Sequence, residues 1–561
     1  MKGLQASATV SWDNTFQEVE RGIDDRNHGT QTKWINPETG EETYAQKGDN
    51  KTGFDFNEGI LWATKGGSVQ VQARNLYYEG KLFWAGKFGL HEVTAMTVLN
   101  RAETAWGNEF AHYRQDFAFR ATYNYANRYN AEINGAYNGS EQFGRDYRME
   151  FFPSFGIGWT VSEEKFFKPV KKYMDYLKLR FSWGEVGNDR LGNERWLYAT
   201  QWAYNGKSYM DLTAGTSPYT WYKVSKIGNP NVHWETAIKR NYGIDYSFLG
   251  GLLAGSFEIF SENRKDLLVF GKDRAVPTYF GFAPAAANLG RTETHGYEFT
   301  LRVNKTFGDV RLWGNFNMSH ARNKIIVKDD PLLMPSYQKQ AGYAIGQGHS
   351  YLTTGFANTW DEVYGMTPHD KMDNQKMPGS YTVIDYNADG VIDSNDSAPY
   401  GYTGTPENTY SGTIGASYKG FDLSIQLYGV TNVNRYVAFN SLGKKLDTVF
   451  DEGTLWTKYT QDADAPMPRI NTTPEYAAGT RFNYDGSFIR LKNVELSYTF
   501  TQQWIKSVGL SSVKLYLSGN NLWVWSRMPD DRESNFAGTG LGSQGAYPTV
   551  KRFTMGLKIN L

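Results

Sequence analysis

The chain has 561 residues, and its 59 Lys and Arg are balanced by 59 Asp and Glu, so the charge gives no argument for a nucleic-acid partner. There is no cysteine, which excludes disulfide bonds, and no run of eighteen apolar residues, which excludes a membrane-spanning helix. Aromatic residues make up 16% of this otherwise polar chain, and 58 residues are glycine. Such a mixture is typical of an outer-membrane β-barrel, whose strands meet lipid on one face and water on the other, with aromatic girdles at both interfaces.

Apolar and polar residues alternate in most segments that can be interpreted. The alternating apolar positions are, in chain order, Leu4, Ala6, Ala8, Val10 and Trp12; Phe117, Phe119, Ala121, Tyr123 and Tyr125; Tyr297, Phe299, Leu301 and Val303; and Phe553, Met555, Leu557, Ile559 and Leu561. Because successive side chains of a strand point to opposite faces, each of these segments is predicted to be a strand with one apolar and one polar face. A soluble β-sandwich array or a secreted adhesin would give the same alternation, although a buried core would not need so many aromatic rings.

One long predicted loop, QWAYNGKSYMDLTAGTSPYTWYKV, is rich in aromatic residues. Its rings are Trp202, Tyr204, Tyr209, Tyr219, Trp221 and Tyr222. Such rings stack on sugars or anchor a partner protein, and they also pack within loops or form an interfacial belt. The sequence leaves these alternatives open and identifies no substrate residue.

The stretch DYNADGVIDSND, Asp385 to Asp396, has the residue spacing of a calcium loop. Oxygen-bearing side chains stand at loop positions one, three, five, nine and twelve, which are Asp385, Asn387, Asp389, Asp393 and Asp396. Gly390 stands at position six, where the chain must turn sharply, and Ile392 at position eight is the usual apolar anchor. The spacing predicts a cation site, and the shorter aspartate at position twelve favours a structural site over a sensor. The alternative is a surface turn, since Asp, Asn and Gly all form turns.

The connections between predicted strands alternate in length. Lys419 and Gly420 form a two-residue turn between two strands, whereas the aspartate loop lies in a long segment, roughly 323–409. Short turns on the periplasmic side and long loops on the outer side are the topology of an outer-membrane barrel. At roughly 35 residues for each strand and its connection, the chain would supply about sixteen strands.

No constellation of residues predicts catalysis. Gly540, Gly542 and Gly545 match a G-x-G-x-x-G pattern, but Pro548 and a strand follow where a phosphate-binding loop needs a helix, so a flexible loop is expected. The eight histidines show no pair at metal-ligand spacing. We therefore expect that the protein is not an enzyme.

An ordered series of segments resembles the SusC/RagA-like TonB-dependent transporters of the Bacteroidetes outer membrane. The segments are NGSEQFGRDYRMEFFPSFGIGWTVSEEKFF (138–167), YLKLRFSWGEVGN (176–188), GNPNVHWE (228–235), ENRKDLL (262–268), NLGRTETHGYEFTL (288–301), the aspartate loop, YKGFDLSIQLYGV (418–430), FIRLKNVELSYTF (488–500), LYLSGNNLWVWS (515–526) and the ending YPTVKRFTMGLKINL. The resemblance extends over nearly the whole chain from about residue 110.

The resemblance implies an all-β, transmembrane antiparallel β-barrel in the outer membrane that imports oligosaccharides or peptides. A SusD-like lipoprotein lid would close over the barrel mouth, and TonB would pull a plug to let the solute pass. The resemblance also implies that the aspartate loop lies outside the cell and binds Ca²⁺, with Mg²⁺ as the alternative. The implied ligands are Asp385, Asn387, Asp389, the backbone carbonyl of Val391, Asp396, and Asp393 through a water molecule.

The family's barrels have 22 strands, so residues 1–561 would form the C-terminal portion of one. The plug, the TonB box and the first strands are not identifiable in this sequence. Because unpaired backbone groups in hydrocarbon are costly, the outermost strands, at Leu4 and Leu561, would need partners from the rest of the transporter. Two alternatives remain open, which are a SusC-like scaffold subunit that transports nothing and a passive pore.

Overall fold

A computed structural model describes the chain over residues 3–18, 22–24, 30–31, 33–35, 39, 42–44, 55–56, 63–65, 69–107, 109–192, 194–207, 219–371, 373–436, 456–459, 479–481, 483–507, 509–528 and 549–560. The G-x-G-x-x-G match, Tyr209 and Leu561 lie outside these residues. None of the helices in these ranges is long and apolar enough to cross a membrane.

Sixteen strands follow one another in chain order in a single antiparallel sheet, which confirms the predicted number. They are β1 (Leu4–Glu18), β2 (Val69–Phe88), β3 (His91–Trp106), β4 (His112–Tyr125), β5 (Tyr129–Ser140), β6 (Met149–Thr160), β7 (Met174–Asn188), β8 (Glu235–Phe248), β9 (Leu253–Val269), β10 (Ala287–Phe307), β11 (Val310–Val327), β12 (Asn408–Tyr418), β13 (Phe421–Thr431), β14 (Phe488–Phe500), β15 (Ser512–Ser526) and β16 (Arg552–Asn560).

Smaller elements lie in the connections. Short strands occur at Gly22–Asp24, Thr30–Gln31, Lys33–Ile35, Glu42–Tyr44, Asp55–Phe56, Ala63–Lys65, Gln201–Lys207, Thr220–Lys226, His349–Ser350, Thr353–Phe356, Tyr381–Val383, Ala398–Pro399, Asn434–Tyr436 and Asn483–Asp485. Two short α-helices cover Trp360–Gly365 and Gln503–Ser507. Single 3₁₀ turns cover Arg145–Tyr147, Val161–Glu163, Lys165–Phe167, Val170–Lys172, Gly271–Asp273, Thr278–Phe280, Asp373–Gln375 and Ser394–Asp396.

The chain divides into two compact units. The first contains residues 1–84, 95–119 and 136–141, and within it β1 pairs with β2 from Leu4 opposite Trp84 to Glu18 opposite Val69. An ion pair between Arg74 and Glu103 (2.8 Å) also lies in this unit. The second unit contains residues 85–94, 120–135 and 142–561.

In the second unit, the pairing register gives the sheet two chemically distinct faces. On one face Tyr297 lies opposite Ile259 on β9 and His320 on β11, and Leu301 lies opposite Phe316. Tyr297, Ile259 and Phe316 are exposed, as expected of side chains that meet lipid rather than a soluble core. The alternation predicted from the sequence therefore sets the two faces.

The other face carries hydrogen-bonded charged groups. The guanidinium of Arg180 donates to Asp245 on the next strand (2.9 Å) and to Glu258 one strand further on (2.8 Å). The side-chain amide of Asn241 donates to the second oxygen of Glu258 (2.8 Å). These bonds tie β7, β8 and β9 together on the side that the barrel fold directs toward water.

The connections sort by length as predicted. Residues 89–90, 126–128, 249–252, 308–309 and 419–420 form short turns at one edge of the sheet, and long segments such as 189–234 and 328–407 lie at the opposite edge. Lys419 (φ 45°) and Gly420 (φ 91°) have the left-handed conformations that a two-residue hairpin turn requires. Two connections at the short-turn edge, 161–173 and 501–511, are longer than the sequence suggested.

A buried aromatic cluster anchors the long-loop edge. Trp234 packs against Phe143 (ring centroids 5.2 Å apart) and Phe152 (5.5 Å), with Val232 and Leu191 beside them. The preceding Asn229 donates its side-chain amide to the carbonyl of Ala286 (2.9 Å). The segment GNPNVHWE therefore joins the outer ends of several strands, which gives that motif a structural role.

We expect Phe316→Arg to destabilise the protein in phospholipid vesicles by about 2–4 kcal/mol, because an arginine near the middle of the lipid-facing surface must be desolvated. Urea unfolding measures the difference. The matched control is Asn317→Arg, one residue along on the polar face, which should change the free energy of unfolding by less than about 1 kcal/mol. Equal destabilisation by both substitutions would contradict the assignment of the two faces.

Candidate functional site

The aspartate loop lies in the connection 328–407, between β11 and β12, at the long-loop edge of the sheet. It follows the short strand Tyr381–Val383 and ends in the 3₁₀ turn Ser394–Asp396. The edge of the sheet that carries this connection is the outer one in the barrel topology. The structure thus places all six predicted ligand residues together in one outer segment.

The first half of the loop folds around its own side-chain oxygens. The carboxylate of Asp385 accepts the backbone N–H groups of Asp389 (3.2 Å) and Gly390 (2.8 Å). The side-chain oxygen of Asn387 accepts the N–H of Asp389 (3.0 Å), and its amide donates to the Asp389 carboxylate (2.8 Å). Gly390 has φ +89°, the turn conformation predicted for position six. Positions one, three and five are therefore drawn together.

The second half closes the loop through Asp396. This carboxylate is fully buried, and it accepts the N–H of Tyr386 (2.7 Å) at one oxygen and the N–H of Asp393 (2.8 Å) at the other. Asp393 in turn accepts the backbone N–H and side-chain amide of Asn395 (2.7 and 3.0 Å). Position twelve thus connects the two ends of the loop, a role that the ligand pattern did not reveal.

Ile392 fixes the loop to the rest of the segment. Its side chain is almost fully buried, and its N–H donates to the carbonyl of Pro368 (2.8 Å) while its carbonyl accepts the N–H of Asp370 (3.1 Å). These bonds form a short parallel bridge with His369. The anchor predicted at position eight is therefore present, and it pairs with a strand-like segment rather than with a second loop of the same kind.

The donor set of the loop fits a hard cation, because it consists of carboxylate, amide and carbonyl oxygens. Each carboxylate oxygen that accepts one N–H keeps a further lone pair for an ion. Within the described ranges, however, no three His, Asp or Glu side chains converge closely enough to hold a metal ion together. The side-chain oxygens of the loop accept backbone N–H groups, and Asn387 and the Val391 carbonyl would be needed to complete any ligand set.

The segment 328–407 also contains buried apolar side chains of its own. Phe356 and Tyr381 stack (ring centroids 5.0 Å apart) and are buried together with Ala357, Val363 and Ala398. The indole N–H of Trp456, from the following outer connection, donates to Asn358 (2.7 Å). Burial of these side chains stabilises the segment independently of the aspartate loop.

Burial and neighbouring charges shift the pKa values of two side chains near the aspartate loop. Burial lowers the pKa of His369, and the ammonium of Lys376 lowers it further, so the neutral imidazole is favoured beside the Ile392 bridge. Partial burial and the nearby Asp396 carboxylate raise the pKa of Tyr337, whose hydroxyl donates to the carbonyl of Asn395 (2.6 Å). The tyrosine ring also packs edge-on against Tyr386 (4.8 Å).

The aromatic loop is a hairpin formed by Gln201–Lys207 and Thr220–Lys226. The rings of Tyr204 and Tyr222 contact each other (6.0 Å), and the side chains of Trp202, Tyr204, Tyr219, Trp221 and Tyr222 are all exposed. They are not packed into a core. The hairpin presents an aromatic surface at the outer edge.

Two outer connections carry further exposed apolar side chains, which the sequence did not identify. They are Tyr279, Phe280 and Phe282 on one connection and Leu332 and Leu333 on the other, and we call them together the outer apolar patch. Tyr279, Leu332 and Leu333 are 90%, 89% and 94% exposed. The two connections that carry these residues are joined at their base, because Asp329 accepts the guanidinium of Arg274 (2.6 Å) and the N–H of Ala275 (3.2 Å). At about 3.6 Å per residue from that junction, Tyr279 and Leu332 lie within roughly 30 Å of each other.

A pocket of about 610 Å³ lies along β4 to β8 and is lined by both polar and apolar side chains, the latter including Phe155, Ile157 and Trp183. Its lining includes Asn130, Glu132, Ser154, Lys178, Arg180 and Asn241. The pocket has charges of both signs beside these apolar side chains, so it offers contacts to polar and to apolar groups of a ligand.

Comparisons with known proteins confirm the resemblance drawn from the motifs. No family model matches the chain. It is 26% identical to the TonB-dependent receptor P3 of Formosa agariphila, over 86% of this chain and 49% of that protein. It is 27% identical to the TonB-dependent receptor SusC of Bacteroides thetaiotaomicron, over 95% of this chain and 52% of that protein. The chain therefore spans about half the length of the curated relatives it matches.

Solved structures agree on the fold. The RagAB peptide importer in its open-open state matches with a TM-score of 0.71 at 17% identity, over 100% of this chain and 59% of that one. A further RagAB peptide transporter structure gives a TM-score of 0.70 at 16% identity, with 100% and 60% covered. The chain thus has the antiparallel barrel fold of SusC/RagA-like proteins and is located in the outer membrane. The relatives are named as receptors and transporters, which agrees with the expectation of no catalysis.

We expect Asp396→Ala to open the aspartate loop, because the N–H groups of Tyr386 and Asp393 lose their acceptor, at about 1–3 kcal/mol for each buried group left unpaired. Hydrogen–deuterium exchange in the presence of a chelator should be at least tenfold faster across 385–396. Asp361→Ala, at an exposed position of the same segment, is the control and should leave this exchange unchanged. Unaltered exchange in the Asp396 variant would contradict the closing role of its carboxylate.

Proposed function

We propose that residues 1–561 form the barrel portion of a SusC-like TonB-dependent transporter that imports oligosaccharides or peptides with a SusD-like lipoprotein lid. The observation that carries the proposal is the similarity to SusC along 95% of the chain. The strand order and the two chemically distinct faces support it, because a transporter wall must meet lipid on one side and a hydrated solute on the other.

The proposal assigns the plug, the TonB box and the remaining strands to sequence outside residues 1–561. The support for this is the match to about half the length of each relative. The first and last strands of the described sheet, β1 and β16, would pair with those further strands. Pairing is required because each unsatisfied backbone group in hydrocarbon costs several kcal/mol.

Two solute classes remain in the proposal. The pocket along β4 to β8 suits either a peptide or an oligosaccharide, since both carry polar and apolar groups along their length. The exposed rings of the 201–226 hairpin favour a sugar, because aromatic faces stack on the apolar faces of pyranose rings.

The outer apolar patch is the surface we assign to the lid. Its five side chains stand on two outer connections that Asp329 joins at their base, so one partner could contact both connections. Its location on two outer connections is where a lid over the barrel mouth would touch. Exposed leucine and aromatic side chains such as these can anchor a partner protein.

We expect the double substitution Leu332→Asp and Leu333→Asp to abolish co-purification of the lid lipoprotein and to reduce solute uptake at least tenfold, because two carboxylates would be desolvated at the interface. Leu332→Met with Leu333→Met keeps the surface apolar and is the matched control. Uptake of labelled oligosaccharides and of labelled peptides distinguishes the two solute classes. Loss of the lipoprotein without loss of any uptake would instead favour the scaffold function.

We further propose that the aspartate loop binds Ca²⁺, with Mg²⁺ as the weaker alternative, through Asp385, Asn387, Asp389, the Val391 carbonyl and Asp396, and through Asp393 by way of water. The amide hydrogen bonds that draw Asp385, Asn387 and Asp389 together support this proposal. A bound cation would add rigidity to a loop whose fold Asp396 already closes.

Asp385→Ala combined with Asp389→Ala should remove Ca²⁺ binding in titration calorimetry, because two charged ligands are lost while the sheet is untouched. Asp361→Ala with Asp370→Ala changes the net charge of the same segment equally and should retain binding. Heats of Ca²⁺ binding that are the same in both variants would reject the site.

A further inference from the structure

The connection 161–173, at the short-turn edge of the sheet between β6 and β7, carries a cluster of exposed cations. Lys165, Lys168, Lys171 and Lys172 are all exposed to solvent. Most other connections at this edge are two to four residues long and have no comparable group. The edge faces the periplasm in the barrel topology, so these lysines lie next to the inner leaflet of the outer membrane.

The backbone of this connection is rigidly built. Three consecutive 3₁₀ turns shape it, and the N–H of Phe167 donates to the carbonyl of Glu164 (3.1 Å) and that of Tyr173 to Val170 (2.9 Å). The side chains of Phe167 and Val161 are buried. The lysines therefore project from a connection whose backbone is held by hydrogen bonds and buried side chains. We call this connection, residues 161–173, the platform.

Acidic groups do not neutralise the cluster. Among the described residues, Glu163 pairs with Lys171 (3.1 Å). The Glu164 carboxylate is occupied by other donors, because it accepts the hydroxyl of Tyr129 (2.5 Å) and the indole N–H of Trp159 (3.1 Å). The connection therefore keeps a net positive charge available to an anionic partner.

Exposed apolar side chains alternate with the lysines. Phe166 and Tyr173 are 63% and 62% exposed, and Val170 is exposed between them. The ring of Phe166 contacts Trp159 (6.4 Å), which lies on the lipid-facing side of β6 together with the exposed Ile157. The apolar part of the platform is thus continuous with the surface that already meets hydrocarbon.

We propose that this platform, residues 161–173, binds the phosphate headgroups of anionic phospholipids in the inner leaflet of the outer membrane. The ammonium groups contact the phosphates. Phe166, Val170 and Tyr173 insert next to Trp159, where the headgroups meet the acyl chains. Charge complementarity and continuity with the lipid-facing wall favour a lipid over a periplasmic protein, since a protein partner would leave the exposed rings of Phe166 and Tyr173 only partly covered at the membrane level. The proposal rests on the outer-membrane location and not on the transport function.

The test is native mass spectrometry of the protein purified from outer membranes in neutral detergent and titrated with phosphatidylglycerol or phosphatidylcholine. Lys165, Lys168, Lys171 and Lys172 are all changed to Gln in one variant. The matched control changes four exposed outer-edge lysines, Lys207, Lys223, Lys272 and Lys371, to Gln. We expect the platform variant to bind phosphatidylglycerol at least tenfold more weakly, and the control variant to bind it as the unmodified protein does.

Two further measurements separate loss of charge from loss of folding, and binding of a phospholipid from binding of free phosphate. Replacing the same four platform lysines by Arg retains the charge and should retain binding, which separates loss of charge from loss of folding. Inorganic phosphate at millimolar concentration should not displace phosphatidylglycerol, because it lacks the acyl chains that the apolar residues hold. Unchanged phosphatidylglycerol binding in the Gln variant, an equal loss for phosphatidylcholine, or full displacement by inorganic phosphate would each overturn the proposal.

Discussion

The pairing of backbone hydrogen-bond groups is the constraint on which the rest of this structure depends. In hydrocarbon no water is present to satisfy an N–H or C=O group, so a membrane-crossing sheet must pair every strand along its length. The antiparallel register supplies this, for example over the seventeen paired positions from Arg291 opposite Val327 to Phe307 opposite Val310. Tight turns such as Lys419–Gly420 keep neighbouring strands in register at the periplasmic edge. Once the backbone is paired, the side chains are free to specialise by face.

The two faces of the sheet are stabilised in different ways. The outward face is stabilised by contact with lipid, and so it tolerates exposed rings such as Tyr297 and Phe316. The inward face carries Arg180 between Asp245 and Glu258, where each charge has a hydrogen-bonded partner on a neighbouring strand. Charged pairs of this kind hold strands together without an apolar core, and they leave the face wettable for a polar solute.

Outside the membrane the long outer segments are surrounded by water. Contacts within these segments must therefore stabilise their fold. The segment 328–407 does so with a small buried core around Phe356 and Tyr381 and with the carboxylate of Asp396 at the centre of a hydrogen-bonded loop. The outer apolar patch and the aromatic hairpin are among the exposed apolar parts of these segments, and the lid and the solute are proposed to meet the protein there.

The sequence by itself determined the strands, their two faces, the tight turns and the residues of the aspartate loop, since each depends on contacts within a few residues along the chain. Alternation has a period of two, the turn at Gly420 needs a left-handed residue, and the loop spacing is a local pattern. Only the tertiary structure decided that Asp396 closes its loop from the buried side, that Asp329 joins two outer connections through Ala275, and that Phe166 of the lysine-rich connection contacts Trp159. These contacts join residues that are far apart in the sequence. They depend on the pairing register and on side-chain hydrogen bonds between distant parts of the chain, so a local sequence pattern does not predict them.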